Sequence, residues 1–340
     1  MARLRDARIL CFEPPEPGDR LGEARCVRPN ILVYTLPPLP MGGIRAGFLQ
    51  QRAWRRRTEF ILNRMSRHDV HEPVLWLTGP EQAALIDRVP GKGLIYDCDR
   101  YWPDSLSLQE GALAAAADVV FTASPGLMDR LSPCNTNLVL LPNGVNYPMF
   151  ARQEYDCPRE LRGIEGPVLG WVGGLHRDLD AAPLELTARQ HPEWTFVVTG
   201  PTKRHPRRPA LERMPNVLLL GRLGVSELPD YLGRFDVCLA LRREDDEGED
   251  IIPGHIYQYL STGKPVVTMV RPDEVEEFPD VIYGAHTPEE FSRLCARALT
   301  EDREWVSQRR RNYGKAAAWS ARADAVIRVL EAIGLYRTGR

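Results

Sequence analysis

The sequence predicts an α/β protein built of two Rossmann-like, doubly wound domains. Short aliphatic runs such as Gly93-Leu-Ile-Tyr-Asp97, Asp118-Val-Val-Phe-Thr-Ala123 and Trp194-Thr-Phe-Val-Val-Thr-Gly200 alternate with helical segments, the pattern of a parallel sheet covered by helices. A chain of 340 residues has room for two separate cores. A polar stretch over residues 151–166 parts two such series and reads as a linker.

Arg8-Ile-Leu-Cys-Phe12 is the first expected strand, ended by Glu13-Pro-Pro-Glu-Pro-Gly18, and Asn30–Leu36 is the second, broken by Pro37, Pro38 and Pro40. Residues 45–68 then read as a helix. Phe48, Leu49, Ala53, Trp54, Phe60, Ile61 and Met65 give its apolar side, and Arg45, Arg52, Arg55, Arg56, Arg57, Arg64 and Arg67 outweigh Glu59 on the other. A basic amphipathic helix suits an anionic membrane surface or a lipid diphosphate. The plainer alternative is a solvated arginine face on a packed helix.

Pro73–Thr78 and Gly93–Asp97 are the next parallel strands, with a short helix over Pro80–Val89 between them. Ligands of such sheets collect at the carboxyl ends of the strands. Asp97-Cys-Asp99-Arg-Tyr-Trp102 stands at one, which makes Asp97 and Asp99 candidate bases or hydrogen-bond acceptors for a substrate hydroxyl. A helix cap or turn acid is the competing reading. Asp97-x-Asp99 also has the short spacing of a metal-binding D-x-D. A helix over 106–117, the strand 118–123, a helix from Ser124-Pro-Gly and a strand from Leu138 into the Asn143-Gly144 turn complete the first series.

The second series opens with Pro167-Val-Leu-Gly-Trp-Val-Gly-Gly-Leu-His176, a strand running into Gly173-Gly174 as a phosphate cradle does. Strand 194–199 ends at Gly200 before a basic loop with Lys203, Arg204, His205, Arg207 and Arg208. Asn216–Gly221 leads to Arg222, and Leu228–Leu232 forms a short helix. Strand Asp236–Leu241 carries Arg242 and Arg243 at its tip, just before the acidic run Glu244–Asp250. An arginine there either stabilises a phosphate leaving group or pairs with the acids. Pro253 suits a helix start and Gly263 its left-handed stop, after which Pro265–Val270 is a buried strand. Residues 288–300 and 303–336 are helical.

Composition narrows the function. A formal net charge of −2 argues against wholesale nucleic-acid binding. Seven scattered cysteines, never in Cys-x-x-Cys, predict neither a disulfide framework nor a zinc site and fit a reducing cytoplasm. No run reaches the roughly 20 apolar residues of a membrane span, and the polar Glu-Pro-Pro-Glu-Pro follows the basic N-terminus too soon for a signal peptide.

Three stretches carry a resemblance. Asp250, seven residues and then Gln258 run into Tyr259-Leu-Ser-Thr-Gly-Lys-Pro-Val-Val267; Pro142-Asn-Gly-Val-Asn146 is followed by Phe150; and Gly173-Gly174 lies between the two. In that order they resemble the retaining nucleotide-sugar group of GT-B glycosyltransferases, and the Tyr96-Asp97–acid–Trp102 segment is similar to bacterial transferases of the teichuronic-acid type. The family has Glu at the positions of Asp250 and Gln258, Lys at His255 and Asp at Asn146. Transferases of that type begin with an additional strand, glycine loop and helix ahead of Glu-Pro-Pro, so the resemblance implies a first domain shortened at its start.

The resemblance implies an acceptor-side domain over 1–150, a linker over 151–166, a donor domain over 167–310 and a segment 311–340 whose helix packs back on the first domain, with a cleft between the domains. The donor would be a nucleotide-diphosphate sugar, and the acceptor a glycan or lipid-linked glycan of a bacterial surface polysaccharide. Gly173, Gly174, His176, Gly200, Arg222, Arg243, Gly254, His255, Ile256 and Gln258 would hold the donor. Asp97, Asp99, Arg242 and Asp250 would serve the chemistry, with no metal and no cofactor. A cytoplasmic enzyme follows, with peripheral contact at the inner membrane face through helix 45–68. A degenerate, non-catalytic nucleotide-sugar-binding subunit and a sugar-nucleotide epimerase are the alternatives.

Overall fold

The computed structural model describes residues 7–16, 22–39, 46–177, 179–241, 250–269, 277–301 and 303–337. The chain divides into two units, Met1–Leu141 with Arg322–Arg340, and Pro142–Ala321. The division thus falls at 141/142 and 321/322, and the Asn143-Gly144 turn belongs with the second series of elements.

In the first unit β1 (Ile9–Glu13), β2 (Ala24–Arg28) and β3 (Ile31–Thr35) form a small sheet in the order β1-β3-β2. β1 runs parallel to β3 and β2 antiparallel to it. Helix α1 (Ala46–Arg67) follows, with Ile61 and Met65 buried and Phe60 edge-on to Phe12 and Tyr34. A second sheet, wholly parallel, has the order β4 (Val74–Leu77), β5 (Gly93–Cys98), β6 (Val119–Thr122), β7 (Leu138–Leu140). Its connections are a 3-10 turn over Pro80–Leu85, α2 (Ser107–Ala116) and α3 (Pro125–Leu131). Ser124 caps α3, its hydroxyl accepting from the Leu127 N–H at 3.3 Å. Ile95, Val119 and Phe121 on one face of this sheet form a core with Leu330 and Leu335 from the chain's end.

The second unit holds a parallel sheet, six-stranded among the described residues: β8 (Val168–Val172), β9 (Thr195–Thr199), β10 (Val217–Gly221), β11 (Val237–Ala240), β12 (Val266–Met269) and β13 (Ile282–Ala285). The spatial order is β10-β9-β8-β11-β12-β13. The four residues of β11 and all but the last of β8 are buried, as expected of central strands covered on both faces. The helices are α4 (Tyr147–Phe150), α5 (Ala182–Gln190), α6 (Arg208–Glu212), α7 (Leu228–Arg234), α8 (Gly254–Thr262), α9 (Pro288–Glu301) and α10 (Glu304–Ala316). Gly263 closes α8 at φ 81°, the left-handed stop its position predicts. Helix α11 (Trp319–Ala332) begins in this unit and continues into the first.

The architecture departs from expectation in definite places. The first two predicted strands belong to a small sheet with an antiparallel member, distinct from the parallel sheet of β4 to β7. The helix expected over Pro80–Val89 is a short 3-10 turn, and the single run 303–336 is two helices. Strands β2 and β13 were not foreseen, nor were the bounds of helix α5.

Candidate functional site

In the second unit, connections from β8 lead outward through β9 to β10, while those from β11 lead the other way through β12 to β13. The direction reverses between β8 and β11. At such a switch point the connecting segments leave a crevice outside the strands' carboxyl ends. The ladder shows where it begins. β8 and β11 pair from Leu169↔Val237 to Trp171↔Leu239 and no further, although β8 and β9 stay paired through Val172↔Thr199. Beyond the split, the Val172 N–H donates instead to the hydroxyl of Tyr259 on α8, at 2.8 Å.

The crevice is made for close backbone approach. Gly200 sits at φ +108° at the end of β9, where a Cβ would come within 2.7 Å of the Gly173 carbonyl group and the Gly174 nitrogen. A Cβ at Gly173 would press into the Trp171 ring, 2.7 Å from Cζ2. The tips of β8 and β9 therefore touch through backbone alone. Across from them stands the start of α8, with Pro253 as its cap and open space beside Gly254. Asn143 ties down the approach to this helix by donating from Nδ2 to the Ile252 carbonyl at 2.9 Å.

His255, the second residue of α8, lies edge-on to Trp171 at 5.0 Å between ring centroids and to Tyr259 at 5.4 Å. Desolvation by these rings pushes its pKa down to about 4, so the imidazole is neutral at physiological pH. The position that is Lys in the resembling family thus supplies a hydrogen-bonding group and not a charge. Asp250 and Gln258 are half-buried at the two ends of this segment, and Ile256 is buried. His176 and Arg222 are exposed. Arg242 and Arg243 lie outside the described residues, as does most of the acidic run. In the basic loop, Arg207 pairs with Glu185 at 2.9 Å, Arg208 with Glu212 at 2.6 Å, and His205 is buried against the Leu179 carbonyl.

In the first unit the two candidate acids differ. Asp97 does not leave the strand tip. It lies inside β5, sharing with Ile95 the face that meets the chain's C-terminal segment. Its Oδ2 accepts from Trp76 Nε1 at 3.0 Å, and Trp76 stacks on Phe121 at 5.6 Å. Burial pushes the Asp97 carboxyl from 3.8 up to about 6, against the pull of the Trp76 hydrogen bond and helped by the charge of Asp99. Asp99 is exposed beyond the strand, gripped at both oxygens by Arg100 at 2.9 Å. Beneath this loop, Glu110 is buried and takes hydrogen bonds from Arg130 at 2.6 Å and Tyr96 at 3.1 Å. The same Arg130 reaches the Trp102 carbonyl at 3.4 Å, so a buried ion pair anchors the tip of β5.

At the Asn143-Gly144 turn the ring of Trp319 fills the space beside the glycine, and a Cβ there would lie 2.6 Å from Cε3. Helix α1 also turns two of its arginines inward. Arg57 is buried and donates to the Pro37 carbonyl at 2.7 Å, and Arg64 lies over Phe60 at 4.4 Å. With Ile61 and Met65 buried as well, that part of the helix's apolar side is taken up within the unit, while Leu49 stays exposed. Among the described residues no helix is long and apolar enough to cross a membrane. Sequence reasoning passed over Trp171 and Tyr259 as core. The signal was present in Trp171-Val-Gly173, where strand alternation puts an indole and a bare glycine on one face.

The comparisons with known proteins agree with this frame. No protein-family model matches the chain. TuaH of Bacillus subtilis (strain 168), named for a glycosyltransferase of teichuronic acid biosynthesis, is 27% identical over 273 residues, covering 72% of this chain and 68% of TuaH. Sucrose-phosphate synthase from Thermosynechococcus elongatus superposes with a TM-score of 0.73 at 14% identity, over 96% of this chain and 89% of the synthase. The α,α-trehalose 6-phosphate synthase of Burkholderia multivorans gives 0.71 at 12% identity, over 96% and 91%. HepE of Anabaena, solved with UDP and glucose, gives 0.66 at 13% identity, over 88% and 86%. The fold is GT-B, two Rossmann-like units, and in sequence the chain is similar to a bacterial glycosyltransferase of the teichuronic-acid type.

Proposed function

We propose that this protein is a glycosyltransferase that moves a sugar, a hexose in the simplest case, from a nucleotide-diphosphate sugar to a glycan or lipid-linked acceptor of a bacterial surface polysaccharide. One observation carries the reading: the switch-point crevice of the second unit presents bare glycine backbone and a helix start in the fold that HepE uses with UDP and glucose. The similarity to TuaH supports the polysaccharide role.

In the reaction the bond from the anomeric carbon to the diphosphate oxygen breaks as the oxygen of the acceptor hydroxyl bonds to that carbon, negative charge collects on the diphosphate, and the hydroxyl's proton passes to the departing diphosphate. Groups aimed at that charge accelerate the step. The Gly174 N–H and the positive end of α8 are suited to it, and Gly173, whose own N–H is held by the Thr199 carbonyl at 3.2 Å, lets the diphosphate come close to the backbone. We assign Gln258 to the ribose hydroxyls, since an amide both donates and accepts, and Asp250 to the donor sugar. His255 serves as a neutral hydrogen-bonding group and Ile256 as an apolar wall, with His176, Gly200, Arg222 and Gly254 bordering the donor. Arg242 or Arg243 would add a cation and Asp99 would meet the acceptor. No metal and no cofactor is invoked.

Thermal stability with a panel of UDP-, GDP- and dTDP-sugars tests this. A ligand at 100 times its Kd adds about 2.7 kcal/mol, a readily seen shift. One base should stabilise the protein, Gln258→Ala should abolish that shift, and nucleoside diphosphate should be released once a glycan acceptor is supplied. Stabilisation by none of the nucleotides would remove the proposal, and binding without turnover on any acceptor would leave a non-catalytic subunit.

A further inference from the structure

Trp171 is 4% exposed, and its indole Nε1 has no hydrogen-bond partner among the described residues. An indole nitrogen is a donor only, and a buried donor without a partner is costly. Its surroundings are specific. Trp171 is the last β8 residue paired to β11, so it stands where the switch-point crevice opens. The Cε2 atom that bears the nitrogen would lie 3.1 Å from a Cβ at Gly173, so bare glycine backbone packs directly on this edge of the indole. The first turn of α8 meets the ring through His255 at 5.0 Å.

The Gly173 N–H is held by the Thr199 carbonyl at 3.2 Å, so the glycine turn offers the N–H of Gly174, and the start of the nine-residue helix α8 carries the positive end of its dipole. His255 is neutral, held so by desolvation, and brings no competing charge. A buried indole N–H, a backbone N–H and a helix start gathered at one point favour an anion. We propose that Trp171 is a donor-binding residue, its indole N–H hydrogen-bonding a phosphate oxygen of the nucleoside diphosphate when the Gly173–Gly174 turn shifts to admit it. This rests on the donor site assigned above and adds to it a side chain that discriminates diphosphate from the nucleoside alone.

A structural rival exists, because an edge-on pair at 80° permits the indole N–H to point into the imidazole face. Trp171→Phe separates the two, since it keeps an aromatic ring and removes the N–H. UDP and GDP, with uridine and guanosine as controls, are titrated calorimetrically into both proteins, and the melting temperature of each is taken without ligand. The expected result is a loss of about tenfold or more in diphosphate affinity, the range for a hydrogen bond to a charged group. Nucleoside affinity should be unchanged, and the smaller ring should cost the free variant some stability whichever role the N–H has. Equal diphosphate affinity in the two proteins overturns the role of Trp171 and leaves the donor site standing. Absence of diphosphate binding in the wild type overturns both readings. Should the variant not fold, the wild type answers with 15N-labelled tryptophan. One of the seven indole N–H resonances should move downfield on adding the diphosphate that binds, and none moving overturns the proposal.

Discussion

Asp97 and His255 are each perturbed by burial, and the perturbations have opposite consequences for stability. The carboxyl of Asp97 titrates near 6 in the folded chain against 3.8 ordinarily, so between those values the native state binds the extra proton and stability falls as pH rises. His255 titrates near 4 against 6.5, so across that window the unfolded state binds more protons and stability rises with pH. The two slopes oppose each other between about pH 4 and 6 and flatten the wild-type curve. Asp97→Asn, which keeps an oxygen for the Trp76 N–H, should uncover the rising slope. It should be more stable than wild type at pH 8 by about 1–2 kcal/mol, a figure reduced because the carboxylate is only partly enclosed, and equal to it near pH 4. His255→Phe should uncover the falling one. Urea denaturation at pH 4, 5, 6 and 8 reads both, and variant curves parallel to wild type at every pH would refute the assignment. Neither shift is legible from sequence, because Asp97 reads as a strand-tip acid and His255 as a substituted lysine until the rings around them are known.

At the scale of the element, α8 does two tasks: it packs on the sheet and it completes the hydrogen bonding of β8 where β11 departs. Tyr259 is fully buried and its hydroxyl takes the Val172 N–H. Tyr259→Phe leaves that donor unpaired in the interior, at a cost of about 1–3 kcal/mol. A drop of that size in denaturant stability, with a weakened donor nucleotide, is the expected outcome; a neutral substitution would show that the strand end finds water. The helix itself was legible from Pro253, the apolar spacing and Gly263, and so were the central strands, whose runs are uniformly apolar. What was not legible has a local cause in each case. All five residues of β2 are exposed, so no alternation marks it. The bounds of helix α5 were hidden because it buries Glu185 and Thr187 along with Leu184 and Ala188, which erases the polar face that periodicity needs. Glu185 is held by Arg189 and Arg207, one nearby in sequence and one twenty-two residues on. Strand β13 is short, at the sheet edge, and contains a glycine.

For the whole molecule, the two cores are built differently from the sequence. The second unit draws its core from a continuous stretch, whereas the first closes with residues from the far end of the chain. Leu330 and Leu335 cover Ile95, Val119 and Phe121, more than two hundred residues earlier, and Gly93 is shaped to the contact, since a Cβ there would collide with the Leu335 side chain. Sequence reasoning anticipated a returning helix only through family resemblance, because its own pattern does not name the surface it covers. Leu330→Ala should therefore destabilise the first unit, by about 2–5 kcal/mol for a buried leucine truncated in a packed interior. It removes nothing from the second unit, whose glycine turn, Trp171, His255 and Tyr259 lie within Pro142–Ala321. The variant should accordingly lose denaturant stability while its affinity for the donor nucleotide stays within about twofold of wild type, both measured on the full chain below the unfolding transition. Affinity falling in step with stability would mean that the donor site depends on the first core, and the assignment of nucleotide binding to the second unit's own residues would have to be given up.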